Sequence, residues 1–132
     1  MTRRLVSANR PWERVVGYSR AVRVGDVVEV SGTAGADENG NIISPGDVYA
    51  QARQALEIIA EALREAGASA EDVIRTRICL TDVSRWEEAG RAHGEVFGGI
   101  RPATIIIGVT GFVDPDILVE IEATAIAGSA ER

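Results

Sequence analysis

Lysine is absent from the sequence, and cysteine and histidine occur once each, as Cys79 and His93. A single cysteine excludes an internal disulfide, and one histidine beside it makes no zinc-type cluster, so no metal is expected. Apolar runs are short. None approaches the roughly 18–20 residues of a membrane-spanning helix, and the first residues lack the hydrophobic stretch of a secretory leader. A cytoplasmic protein without membrane contact is the expectation. Positive charge is also scarce, with 14 arginines against 20 acidic residues and a net charge of −6. Phosphate backbones reward clustered cations, so this balance disfavours a nucleic-acid partner. Arg3, Arg4, Arg10 and Arg14 are a local exception, read as keeping a terminal segment soluble.

What remains is the composition of an ordinary globular chain, 45% hydrophobic and 26% charged. That is enough apolar surface for one core. No repeat or linker divides residues 1–132, which read as a single domain with residues 1–16 as an N-terminal arm.

"YSRAVRVGDVVEVSG" alternates around Gly25-Asp26, with Val22 and Val24 before and Val28 and Val30 after, which is the pattern of a β-hairpin. Asn39-Gly40-Asn41 marks an exposed turn. Ser44 as N-cap, Pro45 at the first turn and Asp47 predict a helix start. Val48, Ala52, Ala55, Leu56, Ile59 and Leu63 form its apolar stripe, and Gly67 supplies a left-handed cap.

In "DVIRTRICLTD", Ile74, Thr76, Ile78 and Leu80 are expected on one strand face and Arg75, Arg77 and Cys79 on the other. A second helix is predicted from Ser84, with Glu87 completing a capping box. Its inward stripe runs through Trp86, Ala89, Gly90, His93, Val96 and Phe97. "ATIIIGVTG" and "DILVEIEATAIA" read as the last strands. In the latter, Val119, Ile121, Ala123 and Ala125 oppose Glu120, Glu122 and Thr124. The predicted order is β-β-α-β-α-β-β, an α+β fold with both helices on one face of a single sheet. The other face mixes Arg75, Arg77, Glu120 and Glu122 with apolar residues, a composition that suits contact between subunits.

The segments "GYSRAV", "VSGTAG", "LREAGASAEDVIRTRICLTD", "RPAT" and "VEIEATA", with the helix around Gln51 and Gln54, resemble the Rid family. These reactive intermediate deaminases are also called YjgF or L-PSP proteins. The match runs from about Gly17 to Ala127. The resemblance implies a chorismate-mutase-like fold and a homotrimer with a central β-barrel, with small-molecule clefts between subunits. It also implies hydrolysis of enamines or imines such as 2-aminoacrylate to a keto acid and ammonia, without metal or organic cofactor.

Carried over by position, the cleft aromatic corresponds to Tyr18, its serine to Ser31 and its acid, which handles water or a proton, to Glu120. The family's substrate-gripping arginine follows "PA", and Thr104 stands there instead. Gly90 replaces a frequent asparagine, His93 a tyrosine one turn later, and Ile106 a frequent cysteine. A threonine hydroxyl cannot reproduce a bidentate arginine–carboxylate pair, whose hydrogen bonds contribute about 1.5–3 kcal/mol each. Its loss is expected to cost on the order of 10²-fold for a 2-imino acid.

Arg77 is a candidate surrogate cation, although cross-strand pairing of Arg75 and Arg77 with Glu120 or Glu122 is the plainer reading. Trp86 and His93, seven residues apart on one helix face, are either packing or cleft lining. Cys79 reads as a buried hydrophobe rather than a nucleophile.

The expected function is hydrolysis of an enamine or imine other than a simple 2-imino acid. Glu120 would activate water, and backbone groups near Thr104 and Ile105 would polarise the electrophile. The alternative is a non-catalytic metabolite-binding homologue. An endoribonuclease is disfavoured by the charge and by the lone histidine.

Overall fold

A computed structural model describes residues 2–131. The elements run β1 (Arg3–Val6), α1 (Pro11–Val16), β2 (Ala21–Val24), β3 (Val27–Thr33), α2 (Val48–Glu65), β4 (Val73–Leu80), α3 (Trp86–Phe97), β5 (Ala103–Gly108) and β6 (Val119–Ile126). They form one six-stranded sheet in the order β1-β2-β3-β6-β4-β5. β4 and β5 pair in parallel, with α3 as their crossover, and every other neighbouring pair is antiparallel.

The valine alternation around Gly25-Asp26 does form the β2–β3 hairpin, and Gly25 takes the positive φ (59°) that its two-residue loop requires. The N-terminal segment differs from its reading as an arm. β1 pairs with β2 from Arg3↔Val24 to Val6↔Ala21, so residues 3–6 are the sheet's edge and the fold has one strand more than expected. Arginines on an exposed edge strand block further pairing, which is why a charged stretch can still be a strand.

α2 begins at Val48, not at Ser44. Ser44-Pro45-Gly46-Asp47 is a turn, with the Asp47 N–H donating to the Ser44 carbonyl at 3.0 Å and Gly46 at φ 83°. Proline followed by a positive-φ glycine is the type II pattern, which a helix cannot pass through. Asp47 is the N-cap, its Oδ1 accepting from the Ala50 N–H at 2.9 Å. All six predicted stripe residues of α2 are buried. Burying each large aliphatic side chain contributes about 1.5–3 kcal/mol. Gly67 closes the helix at φ 81°, with the Ala68 N–H reaching back to the Leu63 carbonyl at 2.8 Å.

α3 starts later than predicted as well. The Ser84 hydroxyl donates to Asp82 at 2.6 Å instead of capping a helix, a short 3-10 turn spans Val83–Arg85, and α3 proper begins at Trp86. Ala89, Ala92 and Phe97 form its buried stripe, whereas Trp86 is 50% exposed and does not face the core.

The face of β4 needs one correction. The β4–β6 register shifts between Val73 and Arg75, and Ile74 is the extra residue, turned outward. Val73, Thr76, Ile78 and Leu80 then line the core with Val119, Ile121, Ala123 and Ala125. Both long helices cover this face, and Arg75, Arg77 and Cys79 stand on the other with Glu120 and Glu122.

Two contacts fix α2 over the sheet. Fully buried Gln51 donates to the Asp116 carbonyl at 3.1 Å and accepts from the Leu118 N–H at 3.0 Å. Gly35 lies so close that a Cβ there would be 2.8 Å from the Gln51 carbonyl oxygen.

Candidate active site

The site begins with an irregularity in β3. Val30 pairs with Ala123 and Thr33 with Ile121, so Ser31-Gly32 holds one residue more than the facing stretch of β6. Such a bulge bends its strand and re-aims neighbouring side chains. Ser31 is tied back, its hydroxyl donating to the Ser19 carbonyl at 2.7 Å and its N–H to the Arg20 carbonyl at 2.9 Å. Gly32 leaves room for an acid. A Cβ at this position would lie 2.8 Å from Oε1 of Glu120.

Tyr18, Ser31 and Glu120, three of the positions named from sequence, line one cavity of about 410 Å³. Burial raises the Glu120 carboxyl above its ordinary range; Arg20 opposes this and Glu122 adds to it. A carboxyl of this kind exchanges protons closer to neutrality than a solvated glutamate does.

The same cavity holds two arginines that the sequence did not place there: Arg20, which was passed over, and Arg10, read only as keeping a terminal segment soluble. Arg20 is 4% exposed. Its Nη1 donates to the Gly32 carbonyl at 2.8 Å and to Thr33 Oγ1 at 2.9 Å, and its guanidinium lies 5.5 Å from the Tyr18 ring centre. Glu13, also buried, answers its charge at 3.8 Å. Arg10 borders the cavity beside Trp12. The available signal was an arginine directly after Tyr-Ser at the mouth of an otherwise apolar hairpin.

The remaining predicted residues gather elsewhere. Thr76 Oγ1 lies 2.8 Å from His93 Nε2 and donates to Thr104 Oγ1 at 2.7 Å. With the proton on Nε2, His93 donates to Thr76 and Thr76 to Thr104, which leaves the Thr104 hydroxyl proton free to point outward. Burial lowers the His93 pKa, which favours this neutral form. Thr104 and Ile105 are exposed on β5, Ile106 is half-buried, and Gly90 lies against the Trp86 ring. None of Trp86, Gly90, His93, Thr104, Ile105 and Ile106 lines the Glu120 cavity within the chain.

The strand expected in "ATIIIGVTG" is β5, and it forms an edge of the sheet. Arg77 does not line that cavity either; it pairs with Glu122 at 3.3 Å across the β4–β6 ladder. Among the described residues no three His, Cys, Asp or Glu side chains gather to hold a metal ion, and no helix is long and apolar enough to cross a membrane.

The bulged α+β sheet thus brings the half-buried Glu120 together with Tyr18 and Ser31 at one cavity. The family profile described as Endoribonuclease L-PSP matches residues 8–127, and the chain belongs to this L-PSP/YjgF family. The 3-aminoacrylate deaminase RutC of Acinetobacter baylyi is 37% identical over 108 residues, covering 82% of this chain and 85% of the relative. A crystal structure of a Mycobacterium tuberculosis member of the YjgF/YER057c/UK114 family superposes with a TM-score of 0.85 at 47% identity, covering 96% of this chain and 100% of that one. The YjgF gene product of E. coli superposes with a TM-score of 0.80 at 25% identity, covering 92% and 96%.

Proposed function

We propose that the protein hydrolyses a small enamine or imine in a cleft completed by a neighbouring copy of the chain. One observation carries this reading: the Glu120 carboxyl, raised by burial, shares a cavity with Tyr18 and Ser31. Acting on the protonated imine tautomer, Glu120 removes a proton from water as the water oxygen bonds to the C=N carbon and the C=N electron pair moves to nitrogen, giving a neutral carbinolamine. The proton held by Glu120 passes to the amine nitrogen, the C–N bond breaks as the carbonyl forms, and Glu120 takes the hydroxyl proton and hands it to the departing ammonia, which leaves as ammonium with the carbonyl product. One water is consumed and no oxidant is needed.

The relative named 3-aminoacrylate deaminase supports an enamine that is not a 2-imino acid as the substrate class. Homotrimeric assembly is supported by the separation of the site residues. One chain presents the Glu120 cavity and the Thr76–His93–Thr104 cluster as two half-sites, with Thr104 and Ile105 uncovered on β5. A neighbour laying β5 over the cavity joins them. A second reading, non-catalytic binding of a metabolite in a cytoplasmic protein, is favoured by threonine standing where an arginine would grip substrate.

The test generates imines and enamines in situ with threonine dehydratase or an amino-acid oxidase and measures what semicarbazide traps. Faster loss of the trapped species with the protein, absent in Glu120→Gln, is the expected result. No acceleration on any substrate leaves the binding reading in place. Sedimentation at the mass of three chains tests the assembly.

A further inference from the structure

Arg20 is a buried cation immediately before β2, and the stability of the fold does not account for it. Apolar side chains of similar size often replace a buried ion pair without loss of stability. The pair with Glu13 is also loose, at 3.8 Å from the Arg20 Nε. Glu13 turns its oxygens to the N-terminal segment, accepting from the Ser7 hydroxyl at 2.9 Å and the Ala8 N–H at 3.1 Å. The guanidinium charge is therefore only partly answered.

The remaining nitrogens reach the parts that shape the site. Nη1 donates to the Gly32 carbonyl and to Thr33 Oγ1, and the Thr33 hydroxyl donates in turn to the Ser31 carbonyl at 2.7 Å. Nη2 donates to the Tyr18 hydroxyl at 3.4 Å. The β2–β3 register ends at Ala21↔Val30, so beyond it the Arg20 side chain holds Gly32 and Thr33 from the hairpin side. A planar fork fixes these directions together, which a flexible ammonium cannot do.

Charge is the second contribution. Glu120 has Cys79 opposite on β4 and Glu122 two residues along β6, while Gly32 on β3 offers no side chain. Glu122 is taken by Arg77. Arg10 borders the cavity, but its Nη1 and Nη2 donate to the Ala8 and Ala36 carbonyls. Arg20 supplies the positive field at Glu120, and it favours the ionised carboxylate against the effect of burial.

We infer that Arg20 is a positioning residue for the proposed hydrolysis, one guanidinium setting the bulge that makes room for Glu120, the Tyr18 ring and the positive charge that acts on the carboxyl. The inference rests on Glu120 as the proton carrier of that reading. Arg20 itself acts through Glu120 and touches no reacting atom.

The test compares the wild type with Arg20→Met and Arg20→Lys. NMR follows the Glu120 carboxyl titration, assigned with Glu120→Gln, and the semicarbazide assay gives kcat and kcat/KM against pH. Amide spectra confirm folding. Arg20→Met removes both charge and fork. The Glu120 titration and the acid limb of kcat/KM should move up, and kcat should fall about 10- to 100-fold. Arg20→Lys keeps the charge without the fork, so kcat should fall while the titration stays near that of the wild type. An unmoved titration in folded Arg20→Met, or a normal kcat in Arg20→Lys, overturns the inference. Should Arg20→Met not fold, Thr33→Val decides. It leaves the charge in place and cuts the link to the Ser31 carbonyl, and a normal kcat there also overturns the inference. Failure of the hydrolytic reading appears differently, as a wild type without turnover whose Glu120 titration still rises in Arg20→Met.

Discussion

Glu120 faces Cys79 directly across the β4–β6 ladder, whereas Glu122, two residues on, faces Arg77. The two glutamates share a strand and a sheet face, yet only one has a cation opposite. Glu122 pairs at 3.3 Å; Glu120 is left with burial as its main influence, and its carboxyl is raised. Cys79→Arg should supply the missing partner and bring the Glu120 titration down. NMR titration of the side-chain carboxyl checks this, with Cys79→Ser as the control that leaves it high. The acid limb of kcat/KM should move down with it, because the ionised form is then available at lower pH.

Gly32→Ala separates position from stability. The new Cβ would meet Glu120 Oε1, the mobile end of a side chain, so the fold should tolerate it with a Tm change of a few degrees. Displacing the carboxylate should lower kcat about 10- to 100-fold, since a small misplacement of a catalytic group is that costly. A variant with normal kcat would remove Glu120 from the chemistry.

The half-buried His93 should make the fold acid-sensitive. Its pKa is lowered by burial, so between that value and the ordinary one, about 6.5, the unfolded chain binds more protons than the folded one. Stability therefore rises with pH through this window and is lost on acidification through it. Urea unfolding above and below the window should show a smaller acid loss in His93→Gln than in the wild type. Glu120 contributes with the opposite sign, so the comparison between the two proteins is the informative one.

Gln51→Leu should be destabilising although it enlarges the apolar surface of α2. It leaves the half-buried Leu118 N–H without its acceptor, at up to about 1–3 kcal/mol, while the carbonyl of exposed Asp116 loses a donor that water can replace. Gly35→Ala attacks the same junction from the other side and meets backbone rather than a movable side chain. Overpacking of this kind costs about 1–3 kcal/mol. Denaturant midpoints for the two variants check both.

Periodicity made most of the fold readable. The α2 stripe, the hairpin around Gly25-Asp26 and the alternating faces of β6 all follow from spacing alone. Spacing cannot reveal where an extra residue enters, so the bulges at Ile74 and Ser31-Gly32 were invisible, and Ile74 was placed on the wrong face. Cap residues misled for a related reason. Ser44 and Ser84 are good caps in isolation, but the turn through Pro45-Gly46 ties the Ser44 carbonyl to the Asp47 N–H, and Asp82 takes the Ser84 hydroxyl. Arg3 and Arg4 hid an edge strand. Arg20 was passed over because its burial depends on Glu13, reached only through a short helix that composition did not announce.

The irregular stretch Val-Ser-Gly-Thr in β3 carries one residue beyond what its neighbour can match. Deleting any one of these four would let the ladder heal into regular pairing. Ser31, Gly32 and the room made for Glu120 would then swap faces or vanish. At this point the number of residues matters as much as their identity, and a shortened chain could fold well while holding no hollow in which to do chemistry.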